Sequence, residues 1–150
     1  MKNSGIILAL KTNENPTEIY LLNSAGEILT EKIWNADRNL ARDLLGEIEK
    51  LIRENLMENS IKNSAENLDN KKIFAQISGV IVFKGPGSFT GLRIGITTAN
   101  ALAYAENISI IGVNGDDWLQ AGFKKINENK NDEIVLPEYG AAPHITKAKK

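Results

Sequence analysis

Cysteine is absent from the 150-residue chain. Disulfides, thiolate zinc sites, iron–sulfur clusters and cysteine nucleophiles are thereby excluded, and the composition is compatible with a reducing compartment. Histidine occurs once, at His144, inside a lysine-rich terminal stretch. That leaves no histidine pair for a metal and no nucleophile–base pair of the serine-hydrolase kind. Charge of one sign is not in excess: 18 basic and 19 acidic side chains leave a net −1. Binding to nucleic acid through bulk charge is therefore not expected. Long apolar runs are lacking too. The first, Gly5 to Leu10, is ended by Lys11; it is too short to span a bilayer and too short for the apolar core of an export signal. A cytoplasmic protein without membrane contact is the expectation.

What is present describes one ordinary domain. Hydrophobic residues make up 42% and charged residues 25%, and a chain this long buries roughly 68–70% of its unfolded surface. Ile6 to Leu10 reads as a buried strand. After a turn at Asn15-Pro16, Glu18 to Leu22 and Glu27 to Trp34 read as two more strands, joined by Asn23-Ser24-Ala25-Gly26. A helix follows over Asp37 to Met57, because Leu40, Leu44, Leu45, Ile48, Leu51, Ile52 and Leu56 recur at helical spacing. Asn35 or Asp37 is placed to cap it. Gly46 inside it costs up to about 1 kcal/mol against alanine, which a close packing contact or fraying would explain. Asn59 to Lys72 reads as a solvated linker, Ile77 to Phe83 as a strand, Ser88 to Ala105 as a helix capped by Ser88, and Ile108 to Val113 as a strand. Asp116 to Ile126 is a short helix whose apolar face is Trp118, Leu119, Phe123 and Ile126, and Ile134 to Leu136 a last short strand. The βββαβα order, continued by this helix, predicts an α/β fold: a mixed sheet covered by helices. Residues 1–136 form the domain, and 137–150 an extended or disordered tail.

The most informative stretch is Gly85-Pro86-Gly87-Ser88-Phe89-Thr90-Gly91-Leu92-Arg93-Ile94-Gly95. A strand feeds a glycine turn, which feeds a helix N-terminus, where free N–H groups attract anions. Gly85, Gly87, Ser88 and Arg93 are candidate anion-binding residues on that reading; a tight turn with a helix cap is the alternative. The run lacks Gly-Lys-Ser/Thr, does not fit Gly-x-Gly-x-x-Gly, and has Pro86 where a hydrolase elbow needs glycine. Gly91, Gly95, Ala99 and Ala103 form a ridge of small residues spaced by four. Such a ridge admits close approach, either by the chain's own sheet or by a partner helix. Arg93 reads as an anion contact or a structural cation, with the structural role preferred. Trp34 and Trp118 read as packing residues, Asp116 and Asp117 as a helix start, and Lys147, Lys149 and Lys150 as a solvated tail.

The Gly85 to Gly95 run, continued by Ile96 to Ala105 and Ile108 to Val113, resembles the TsaB (YeaZ) family, which takes part in making threonylcarbamoyladenosine in tRNA. The strong resemblance covers about Ile77 to Val113, and the order of elements extends it over most of the chain. It implies one half of an actin/Hsp70-like, ribonuclease-H-like fold. It also implies a non-catalytic scaffold that binds a TsaD-like protein, joined by a TsaE-like ATPase, with tRNA reached only through the complex. ATP and metal are then expected on the partner subunits and none on this one. In the family the partners pair through two helices each. Carried onto this chain, these are Leu40 to Leu56 and Ser88 to Ala105, with Leu40, Leu44, Ile48, Leu51, Ile52, Gly91, Gly95, Ala99 and Ala103 as candidate interface residues. A homodimer through the same helices is implied for the isolated chain.

The departures from the family bear on chemistry. Family chains usually open with a strand ending in Asp-Thr-Ser; here the residues are Lys11-Thr12-Asn13. Lysine in place of the acidic residue argues against a metal–phosphate site. The second half-domain of the family has no room in this sequence, although Pro137 to Ile145 resembles the family's tail. A shortened form that keeps the first half and the tail is the expectation. The competing reading is a stand-alone nucleotide- or phosphate-binding enzyme of the same fold, using the Gly85–Arg93 cradle.

Overall fold

The structure is a computed structural model in which residues 5–59 and 70–140 are described. Five strands form one sheet: β1 (Ile6–Lys11), β2 (Thr17–Leu22), β3 (Ile28–Trp34), β4 (Ile77–Phe83) and β5 (Ser109–Val113). Their spatial order is β3-β2-β1-β4-β5. The first three make an antiparallel meander, with Leu8 opposite Leu21 and Tyr20 opposite Glu31. β4 then joins β1 in parallel, with Leu8 opposite Val80, and β5 joins β4 in parallel, with Ile81 opposite Ile111. The mixed sheet follows from the connections. Hairpins join antiparallel neighbours, whereas helical crossovers return the chain parallel. In the β2–β3 hairpin Asn23 Oδ1 accepts from the N–H groups of Ala25 and Glu27, both at 2.9 Å. Gly26 there adopts φ +85°, which glycine reaches without strain.

Period-2 alternation divides the central strands between two cores. Leu8, Leu10, Val80, Val82 and Ile110 face one side, where α1 (Leu40–Asn59) and α3 (Phe89–Glu106) lie. A short helix, α2 (Asn70–Phe74), adds the buried Ile73 to that layer. Ile7, Ala9, Ile81, Phe83, Ile111 and Val113 face the other side, under α4 (Trp118–Asn127). Trp118 is buried there, edge-on to Tyr20 at 5.9 Å and to Phe83 at 6.0 Å. Both tryptophans are packing residues: Trp34 is half-buried beneath the Lys32 ammonium, 5.6 Å from its ring.

Several local expectations need correction. The first helix opens with a 3-10 turn, Asp37–Asn39, that has no side-chain cap. Asp37 instead accepts a hydrogen bond from Asn15 Nδ2 at 3.0 Å, tying the turn to the β1–β2 loop. Among the described residues Gly46 makes no close packing contact, because none lies within 4 Å of where its Cβ would stand. The predicted linker includes helix α2; its Ile61 and Leu68 lie outside the described residues. Asp117 stands at the α4 N-cap without a side-chain hydrogen bond. Ile134 to Leu136 is not a strand, and the reason is on the β5 edge. Asn131 Oδ1 and Asp132 Oδ2 accept from the N–H groups of Ile110 and Gly112, at 3.0 and 2.8 Å, where a neighbouring strand would have bonded. Ser88 does cap α3, its Oγ accepting from Gly91 N at 3.2 Å. Among the described residues no helix is long and apolar enough to cross a membrane.

The stripe of α1 is core. Ile48 is completely buried, so Ile48→Ala should lower the unfolding free energy by about 2–5 kcal/mol. Urea denaturation followed by circular dichroism checks this; a change below about 1 kcal/mol would contradict the packing.

Candidate functional site

The centre of the molecule is the meeting of the β1 end with the glycine run. β1 delivers Lys11, and the chain turns through Thr12 and Asn13, both buried. Thr12 Oγ1 donates to the carbonyl of Gly91 at 2.7 Å. Asn13 Nδ2 donates to the carbonyl of Pro86 at 3.2 Å, and Asn13 O accepts from Ser88 N at 2.8 Å. The glycines exist to let this happen. A Cβ on Gly87 would run into Asn13, one on Gly91 into the Thr12 carbonyl, and one on Gly95 into the Thr12 side chain. Gly85, at φ +133°, is approached by the carbonyl of Glu138.

This geometry decides how the ridge is used. Gly95, Ala99 and Ala103 are buried against the chain's own sheet and β1 turn, and Gly91 is half-buried there. Leu40, Leu44, Ile48, Leu51 and Ile52 are 0–5% exposed and belong to the same core. None of these nine residues is displayed to solvent as a partner face. One stripe cannot be core and partner face at once. What the sequence left unranked is the outward side. On α1 it carries Arg42, Gly46 and the half-buried Arg53; on α3 it carries Thr90, Thr97 and Ala101, with Tyr104 beside them at 90% exposure.

Two of the N–H groups at this helix start are engaged within the chain. The N–H of Ser88 is taken by Asn13 and that of Gly91 by the Ser88 cap. Gly85 and Gly87 face backbone. Arg93 holds its guanidinium over the Phe89 ring at 5.0 Å, and Phe89 stacks on Tyr139 at 4.8 Å. Of the four anion candidates, Ser88 alone lines the adjoining cavity of about 170 Å³, together with Glu14, Asn15, Asp37 and Thr90. Its two carboxylates oppose an anion.

Lys11 closes β1. Its ammonium donates to Asn13 Oδ1 at 2.9 Å, lies 3.9 Å from Glu14 and 4.0 Å from Glu18, and sits 4.9 Å from the Phe83 ring centroid. Nearby, burial first and then the hydrogen bond to Glu18 (2.6 Å) push the Tyr20 phenol above its ordinary range. Among the described residues no three His, Asp or Glu side chains come together as a metal site. His144 and the tail lysines lie outside the described residues.

Sequence reasoning missed the docking of residues 131–140. Asn100 holds Val135 by both its N–H and its carbonyl, each at 2.9 Å. Glu138 binds Lys84 Nζ at 3.2 Å and Asn114 Nδ2 at 3.1 Å. The expected tail boundary at residue 137 therefore cuts through a packed segment. The available signal was Asn100 itself, an amide with low helix propensity in the middle of a helix.

A half-sheet of this topology, covered by helices on both faces, with a glycine-lined helix start against the β1 turn, is an actin/Hsp70-like α/β domain. YeaZ from Pseudomonas aeruginosa has the same fold, with a TM-score of 0.56 and 24% identity over 73% of this chain and 44% of that one. A model of the TsaD family, described as tRNA N6-adenosine threonylcarbamoyltransferase, matches residues 35–136. The chain is 38% identical over 65 residues to the tRNA threonylcarbamoyladenosine biosynthesis protein TsaB of Bacillus subtilis (strain 168), covering 43% of this chain and 26% of that protein. It is 28% identical over 146 residues to the tRNA N6-adenosine threonylcarbamoyltransferase of Clostridioides difficile (strain 630), covering 96% of this chain and 43% of that one. The chain thus spans less than half the length of these relatives. It belongs to the TsaD family, whose model covers more than half of it, and it is similar to TsaB over part of its length.

Two predictions follow from the geometry. Gly95→Ala should destabilise by roughly 1–3 kcal/mol through overpacking on Thr12, whereas Gly46→Ala should stabilise by about 0.5–1 kcal/mol, since its surroundings are open. Paired urea melts check the opposite signs. The Lys84 hydrogen bond, then that of Asn114 and the Lys84 charge, hold the Glu138 carboxyl below its ordinary 4.5. A carboxyl lowered in the folded state stabilises above the unfolded value and loses that stabilisation as pH falls through the folded one. The Glu138 carboxyl resonance, followed by NMR from pH 7 downward, should titrate below 4.5 in the native protein and return toward 4.5 in Lys84→Met.

Proposed function

We propose that this chain is a non-catalytic scaffold subunit that binds a TsaD-like protein in the complex transferring a threonylcarbamoyl group to adenosine in tRNA. A TsaE-like ATPase joins that pair, ATP and metal are held by the partner subunits, and tRNA is reached through the complex. The observation that carries this reading is Lys11. An ammonium at the end of β1 takes Glu14 and Glu18 as its counter-charges and repels a metal cation from that position. The self-satisfied loop below it weakens the competing reading, a stand-alone nucleotide- or phosphate-binding enzyme.

Helices α1 and α3 remain the docking elements, but through their outward sides. Gly46 and Ala101 present little side-chain bulk there, so a partner helix can approach closely. Leu45 is 46% exposed beside them. The same faces serve a homodimer when the partner is absent.

Pull-down of the TsaD-like protein of the same organism, followed by size exclusion with light scattering, tests the reading. A one-to-one complex is expected, and Gly46→Arg with Ala101→Arg should weaken it at least about tenfold while leaving the circular dichroism unchanged. No complex, together with calorimetric ATP binding by the isolated chain, would establish the enzyme reading instead.

A further inference from the structure

The outer edge of β5 is covered by residues 131–139, which run between that edge and α3. Among the described residues, two main-chain bonds tie this segment to the rest of the domain: Asp132 N to Ile110 O at 2.8 Å, and Glu138 N to Lys84 O at 2.7 Å. The remaining anchors are side chains, and each reads a different group. The Asn100 amide forks onto the N–H and carbonyl of Val135. The Val135 side chain is 3% exposed and packs over Gly112, where any Cβ would crowd it. Lys84 and Asn114 converge on the Glu138 carboxylate. Phe89 stacks on Tyr139. Ile134 and Leu136 point outward at 67% and 72% exposure.

Inward Val135 between outward Ile134 and Leu136 is the alternation of an extended peptide lying in a groove. A segment integral to the sheet would be zipped by a ladder of main-chain bonds. This one is held at discrete points, and no strand-to-strand bond of the sheet runs through it.

We infer that the groove between α3 and the β5 edge is a recognition site for an extended peptide, filled here in cis by the chain's own residues 134–139. The ligand carries a β-branched residue for the pocket over Gly112, a carboxylate three positions later for Lys84 and Asn114, and an aromatic ring next for Phe89. Its source is a segment of a partner protein. An identical segment from a second copy of this chain gains nothing over the tethered one, which has the advantage of effective concentration. A partner's segment displaces it by matching the anchors better.

The test uses the full chain and a fluorescein-labelled peptide Ile-Val-Leu-Pro-Glu-Tyr-Gly, read by anisotropy. Glu138→Ala loosens the tethered segment and leaves the groove intact, so it should bind the peptide at least about tenfold more tightly than the unaltered chain. Adding Asn100→Ala, or Lys84→Glu if that variant does not fold, should reverse the gain. Equal binding by the unaltered and Glu138→Ala chains, or binding indifferent to the groove substitution, overturns the inference. A Glu138→Ala dimer that the peptide dissolves would assign the groove to a second copy and overturn the partner assignment.

Discussion

The close approach of Thr12 and Asn13 to the first turns of α3 is the constraint around which the molecule is arranged. Main chain meets main chain there with almost no side chain between. Gly87, Gly91 and Gly95 are the residues that yield the space. Glycine weakens a helix, so two of them near its start cost about 1 kcal/mol each. The hydrogen bonds from Thr12 to Gly91 and from Ser88 to Asn13, made in a buried setting, offset that cost. Because α3 is pinned at its N-terminus, its remaining length lies flat on β4 and β1 through Ala99 and Ala103. α1 then completes the layer beside it.

That arrangement engages part of a loop built like an anion site from within the chain. Helix N-termini attract anions through unsatisfied N–H groups. Here the Ser88 and Gly91 N–H groups are satisfied from within, and Lys11 brings its charge to neighbouring carboxylates instead of to a ligand.

Much of the fold was legible. Short continuous apolar runs marked β1, β4 and β5, and the leucine–isoleucine stripe marked α1, because burial leaves its pattern in one dimension. The candidate interface was the least legible part. A stripe such as Leu40-Leu44-Ile48-Leu51 shows only that one side of a helix leaves water. Whether sheet or partner covers it depends on which residues lie across from it, and those are distant in the chain. The small-residue ridge had the same ambiguity, and Thr12, eighty-odd positions before Gly95, resolved it. The docked segment at 131–140 was hidden for a related reason. Its anchors are Asn100, Asn114 and Lys84, polar residues that form no periodic pattern.

The sequence by itself determined the order and type of the five strands and three longer helices, the family resemblance of the glycine run and the absence of thiol and histidine-pair chemistry. These depend on local pattern and on which functional groups exist at all. Only the tertiary structure decided which faces are core, that the glycine loop is filled by Thr12 and Asn13, and that residues 131–140 close the β5 edge. Each of those is a contact between positions far apart in the chain, and a contact's energy depends on both partners.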